Sequence, residues 1–257
     1  MKRLGTLLRL TALPLLFAAA GCISPTEELQ PSDLTLAELQ QRIDRATDPE
    51  GRYAAATSSI LRQEIIDPDP GWFGEEKLKM VEVKTMRPNY FRLTTYEENE
   101  PMLALISNGE SCWVADFRSK RVSALSKEEF RRMRVLTEIA RPGSRIDQIF
   151  SDIQLQLCRV GDREYYKLSC SNPGMNPLEL YINRESYLTE RVRGKLRTGA
   201  ISSISYDSRL LGYSLYEGVR MPEETVSTNN GEIQRSRVIY YKLNVPMDTA
   251  EFRPPVF

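Results

Sequence analysis

Turn residues recurring at short intervals constrain this chain more than any other feature of its sequence. Asn108-Gly109 separates "MLALIS" (102–107) from "SCWVADF" (111–117), and Gly161 separates "IQLQLCRV" from "EYYKLSC". Pro173-Gly174 and Asn229-Asn230-Gly231 punctuate the C-terminal half in the same way. An Asn-Gly pair between two apolar runs is a strong hairpin signal, because tight hairpin turns need positive φ at their central residues. The runs themselves alternate, as in Leu178, Leu180 and Ile182 against Glu179, Tyr181 and Asn183, so each strand has one apolar face. About a dozen such runs extend from Ala55 to Val245, with no repeat of roughly 20 to 50 residues. The pattern predicts a mainly β, α+β fold built as an antiparallel meander.

Two segments break the strand rhythm. "TLAELQQRIDRA", Thr35 to Ala46, pairs Thr35 with Glu38 in a capping box and repeats Leu36, Leu39, Ile43 and Ala46 at helical spacing. "SKEEFRRMRVLTEIA", Ser126 to Ala140, opens with a second capping box, Ser126 with Glu129, and carries Phe130, Met133, Val135, Leu136 and Ile139 as a stripe. Pro142-Gly143 ends it, and "SRIDQIF" (144–150) adds a short second helix. An amphipathic helical segment inside a meander must cover apolar sheet surface.

The N-terminus carries Lys2, Arg3 and Arg9 and then "LTALPLLFAAA", Leu10 to Ala20, an apolar run of secretory-signal length and too short to span a bilayer. It runs into "AAGC", Ala19 to Cys22, which resembles the bacterial lipobox with Ala19 in place of the commonest Leu. The resemblance implies cleavage before Cys22 and lipidation of its thiol, with residues 1–21 as the signal peptide. An ordinary secretory signal is the alternative. Ile23, not Asp, follows the cysteine, which by likeness to Gram-negative lipoproteins implies release to the outer membrane. Polar, proline-punctuated residues 22–34 read as a flexible tether, and 35–257 as one domain long enough to bury a full core. Removing residues 1–21 leaves 32 basic against 35 acidic residues, a net charge of −3, which gives no footprint for nucleic acid.

The chain has no histidine, which excludes Ser-His-Asp and Cys-His nucleophile systems and the usual His-based zinc sites. The cysteines lack metal-ligand spacing, and no cofactor is implied. Without Cys22 three thiols remain, so at least one is free or pairs between chains. In a hairpin centred on Gly161 and Asp162, Cys158 faces residue 165 and Cys170 faces residue 153, which keeps those two sulfurs apart.

"MRPNYFRL", Met86 to Leu93, followed by "LALISNGESCWVADF", Leu103 to Phe117, resembles the LolA lipoprotein carriers and their LolB receptor relatives. "MDTAEFRPP", Met247 to Pro255, resembles the family's final strand motif. The resemblance implies an incomplete antiparallel β-barrel of about eleven strands, with an N-terminal helix and a helical lid (126–150) over an apolar cavity. It casts Arg87 as the arginine that latches the lid, with "EIARPG" (138–143) as candidate partner, and Phe91 as a cavity-lining aromatic. On one strand face Arg87 and Phe91 would stand ~13 Å apart, with Asn89 and Leu93 beside them. Arg92, out of phase, would be solvated, and Trp113 is expected in the core. Phe130, Met133, Leu136 and Ile139 would line the cavity from the lid, although a plain core needs the same stripe.

The implied function is non-enzymatic: binding acyl chains of lipids or lipoproteins and passing them on, from a lipid-anchored, monomeric protein on the periplasmic side of the outer membrane. A structural or signalling lipoprotein that binds an envelope protein on the same scaffold is the alternative. A carboxylate hydrolase would need converging acid pairs, and Glu128-Glu129 reads as a helix cap.

Overall fold

The computed structural model describes residues 27–66, 79–139, 141–197, 203–229 and 232–257. The signal segment, Cys22 and the loop 67–78 lie outside them.

The first half of the chain comprises β1 (Glu27–Pro31), α1 (Leu36–Thr47), α2 (Arg52–Ala55) and five meander strands. These are β2 (Ser58–Ile66), β3 (Lys79–Met86), β4 (Tyr90–Glu97), β5 (Glu100–Ser107) and β6 (Cys112–Asp116), followed by a short β7 (Arg121–Ala124). After α3 (Lys127–Ile139) and α4 (Ile146–Ile149) come β8 (Asp152–Val160), β9 (Arg163–Ser171), β10 (Leu178–Asn183) and β11 (Thr189–Arg197). Then follow β12 (Ser203–Tyr216), β13 (Val219–Asn229) and β14 (Glu232–Leu243). All described pairings are antiparallel, and the strands form a single sheet in the order β1-β8-β9-β10-β11-β12-β13-β14-β2-β3-β4-β5-β6-β7. Its edges, β1 and β7, do not meet, so the barrel is open.

This order fixes where the lid lies. β7 is one edge of the sheet, and β8 lies one strand in from the other. The connection between them must therefore cross the sheet, and α3 and α4 cross its inner face. There Leu39 and Ile43 of α1, with Ile146 and Phe150, pack on Tyr166, Leu168, Cys170, Leu178, Leu180 and Ile182 of β9 and β10.

The hairpin signals act as their residues require. Ser107 pairs with Cys112, and the Asn108 Oδ1 accepts from the amides of Glu110 (3.0 Å) and Ser111 (2.9 Å). Gly109 has φ +91°, and a Cβ there would lie 3.2 Å from Asn89 Cβ, so glycine serves both the turn and the close approach. In the β8–β9 hairpin Cys158 faces Tyr165 and Cys170 faces Ile153, as the turn position predicts; Cys112, Cys158 and Cys170 are all free and buried.

Three segments differ from expectation. Within the tether range, Glu27–Pro31 is the edge strand β1, because its polar side chains have partners: Glu27 accepts from Lys167 Nζ (2.7 Å), Tyr181 Oη (2.7 Å) and Arg193 Nη2 (3.0 Å). "YSLYEGVRM" (213–221), which has none of the turn pairs quoted above, is a hairpin, since Glu217 and Gly218 both adopt positive φ and turn β12 into β13. β1 adds to the sheet, which has fourteen strands among the described residues against the eleven or so implied by resemblance. Lastly, Arg87, Pro88 and Asn89 form the β3–β4 turn, so Arg87 does not share a strand with Phe91.

The C-terminal motif packs on the outer face. Asp248 and Glu251 cap the 3-10 turn Thr249–Phe252, whose Phe252 is fully buried beside Tyr90, with ring centroids 5.4 Å apart. Arg92, expected to be solvated, donates to the Glu251 carbonyl (2.9 Å), and Lys84 pairs with its carboxylate (2.8 Å). Trp113 is half-buried beside Ala115 on this side. Among the described residues no helix is long and apolar enough to cross a membrane.

Candidate functional site

The lid begins and ends on side-chain hydrogen bonds. Ser126 Oγ accepts from the Glu129 amide, and the Glu129 carboxylate accepts from the Ser126 amide (2.8 Å), which closes the capping box. At the other end Pro142 and Gly143 break α3, and the Ser144 hydroxyl donates to the carbonyls of Glu138 and Arg141. Glu138 O also accepts from the Arg141 amide (3.1 Å), so the hydroxyl completes the polar satisfaction of the helix end. Gln40 of α1, a nearly buried polar residue, then holds the turn: its Nε2 donates to Ser144 O (2.9 Å) and to Asp44 Oδ1 (2.8 Å), and its Oε1 accepts from the Ile146 amide (3.2 Å).

The apolar residues of α3 divide between two neighbours. Val135 and Ile139 pack against the core cluster on β8–β11, whereas Phe130 and Met133 face β4 and β5. Phe91, 8% exposed, meets Phe130 and Met133 there, together with Leu105 and Cys112. The space these side chains leave is about 20 Å³, little more than one water needs. It adjoins a far larger cavity of about 910 Å³, for Asn89, Arg134, Glu138 and Arg141 line both. The large cavity lies between the lid turn and the ends of β2 and β3, with Tyr53, Ser59, Thr85, Met86, Arg87, Val135 and Ile149 among its walls.

The expected site residues fare unequally. Phe91, Phe130 and Met133 come together beneath the lid. Leu93 is half-buried one position beyond, opposite Leu105, and lines neither space; Ile139 belongs to the core instead. The Leu136 side chain lies outside the described residues. Arg87 does not latch the lid carbonyls: its backbone amide is held by Thr57 O (2.8 Å) in the turn, and its guanidinium donates to Tyr53 O (3.2 Å) beside α2. The carbonyls it was expected to bind are occupied by the Ser144 hydroxyl. Gln40 and Ser144 fasten the lid instead, and the sequence sign of it is a glutamine on the apolar stripe side of α1, between Leu39 and Ile43.

The cavity is not the uniformly apolar space the resemblance implies. β2 and β3 contribute Ser59 and Thr85 to the inner face there, and the lid turn "RPGSR" supplies Arg141, Ser144 and Arg145. Ser59 and Thr85 satisfy each other's hydroxyls at 2.7 Å. Burial pushes the Tyr53 hydroxyl above its usual range and the Cys112 thiol up to about 11, so both stay protonated at neutral pH. Among the described residues no cluster of His, Cys, Asp and Glu is placed to hold a metal ion.

Solved structures with this architecture include a LolA superfamily protein from Nitrosomonas europaea, 16% identical, with a TM-score of 0.54 over 86% of this chain and 98% of that one. The chain has a LolA-like fold. A domain named for outer membrane lipoprotein sorting, from Vibrio parahaemolyticus, is 14% identical with a TM-score of 0.51 over 84% of this chain and 94% of that one. A DUF1329 family protein from Desulfovibrio piger, 10% identical, scores 0.50 over 84% of this chain and 95% of that one. No family model matches the sequence. No curated protein matches it either. At these identities the LolA-like likeness establishes the scaffold: an open antiparallel half-barrel with its helical segment across the inner face.

Proposed function

We propose that this chain is a non-catalytic, lipid-anchored envelope module that takes acyl chains of lipids or lipoproteins beneath its lid. It would be anchored through Cys22 at the periplasmic side of the outer membrane and would serve lipoprotein sorting or transfer there. The observation that carries this reading is the meeting of Phe91, Phe130 and Met133 at the closed end of a 910 Å³ cavity in a LolA-like half-barrel. Ligand cavities commonly fall between roughly 300 and 1,000 Å³. The Phe91 end is shut, so acyl entry requires α3 to lift; each buried methylene then contributes about 0.8 kcal/mol. α3 suits such movement, since its Phe130–Met133 end rests on β4 and β5 while its Val135–Ile139 end stays on the core.

The test is native mass spectrometry and fluorescence titration of the protein lacking residues 1–22, with monoacyl lipids as probes. Co-purified or added acyl ligand should appear at one per chain and compete with a fluorescent fatty-acid probe. A protein that stays empty, and that no acyl probe enters, would overturn the reading in favour of a scaffold that binds a protein partner.

A further inference from the structure

The large cavity is lined by four arginines and a single carboxylate. Arg87 stands on the sheet side; Arg134, Arg141 and Arg145 stand on the lid side, with Glu138. Two of these cations are already neutralised: Arg141 Nη1 pairs with Glu138 at 3.0 Å, and Arg145 pairs with Asp147 through two bonds of 3.0 and 2.8 Å. Arg87 and Arg134 have no acidic partner among the described residues; Arg87 donates only to the Tyr53 carbonyl.

Guanidinium groups on facing walls of one cavity repel across it. An anion between the walls removes that repulsion. A planar fork of five donors matches the oxygens of a phosphate or carboxylate, which bind it in pairs. We infer that the cavity is an anion-binding site in which Arg87 and Arg134 receive the phosphate or carboxylate headgroup of an amphiphile whose acyl chain lies toward Phe91. The site deepens the acyl-binding proposal and rests on it for the tail, while the headgroup half stands on the arginines alone. Because Arg87 belongs to the β3–β4 turn and Arg134 to α3, the bound anion also ties the lid down, so headgroup and lid closure are coupled.

The experiment uses the protein lacking residues 1–22 and three probes: palmitoyl lysophosphatidylglycerol, palmitoyl lysophosphatidylcholine and inorganic phosphate. The anionic lipid should bind about tenfold more tightly than the zwitterionic one at low salt, with the gap shrinking as ionic strength rises. The R134E variant, which changes an exposed and unpaired side chain and so leaves the fold intact, should abolish that gap, as should R87Q. R131Q, at an exposed arginine of α3 outside the cavity wall, should keep it. Equal affinity for the two lipids, or a gap that survives R134E, overturns the anion site and leaves acyl binding standing. If neither lipid binds but phosphate does so in an Arg134-dependent way, the anion site stands as a free-phosphate site and the acyl reading fails. If nothing binds, both fail.

Discussion

Gln40 on α1 and Ser144 in the lid turn are joined by a 2.9 Å hydrogen bond across 104 residues of sequence, and the same carboxamide accepts from the Ile146 amide. That single side chain satisfies the backbone polar groups of the turn where α3 gives way to α4. Gln40→Leu leaves Ser144 O and the buried Ile146 amide unpaired, at a cost of roughly 2 kcal/mol. Hydrogen exchange of residues 144–150 should then accelerate by roughly thirtyfold, a loss confined to the lid turn. Unchanged exchange there would show that Gln40 is not the fastening point.

Phe91 is the lid's partner on the sheet. Phe91→Ala empties a buried position in contact with Phe130 and Met133, and should destabilise the protein by about 3 to 5 kcal/mol while weakening acyl-probe binding. Phe91→Leu retains apolar contact and should lose far less of both. Binding that is indifferent to Phe91→Ala in the still-folded fraction would place the acyl chain elsewhere.

Much of this arrangement was legible in the sequence, and the failures share a cause. Capping boxes at Thr35 and Ser126, the Asn108-Gly109 turn and the facing of Cys158 with Tyr165 are local or near-local, decided by a few neighbouring residues. Phe91 and the Phe130–Met133 half of the lid stripe were legible through family likeness. What escaped depends on distant partners. Glu27 looks like tether until Lys167, Tyr181 and Arg193 surround it, and Arg92 looks solvated until the C-terminal 3-10 turn folds over it. Arg87 carries a family expectation, but its guanidinium goes to Tyr53 because the turn pins its backbone beside α2.

Gly109 should tolerate no side chain with a branched Cβ. Its φ of +91° strains any L residue, and a Cβ would press on Asn89 at 3.2 Å, in the turn that carries Arg87. Gly109→Val should cost about 1 to 3 kcal/mol in chemical denaturation. A wild-type midpoint for this variant would contradict the geometry.

The three described thiols should be inert in the native protein. Burial raises all of them, Cys112 to about 11 and Cys170 to about 12, so almost no thiolate exists at pH 8. A colorimetric disulfide reagent should label none of them within minutes before unfolding and all three in urea. Rapid labelling of any one would mean that its strand opens.

The attachment of β1 should depend on acid. Burial alone would raise the Glu27 and Glu179 carboxyls, yet hydrogen bonds and charge from Lys167 and Arg193 outweigh it and hold both below their ordinary value of 4.5. A carboxylate lowered on folding contributes stability that is complete above its unfolded pKa and is lost as pH falls through the folded one. The contribution of this network is therefore full at pH 7 and fades below about pH 4.5. Glu27→Gln should destabilise the protein by about 2 kcal/mol at pH 7, since Lys167 and Arg193 lose a charged acceptor. Urea unfolding at pH 7 and pH 3.5 checks the sign: the gap between wild type and variant must narrow at the lower pH, because there the unfolded wild-type chain takes up a proton at Glu27 that the folded state resists. A gap that stays constant or widens would show that Glu27 holds β1 by shape rather than by charge.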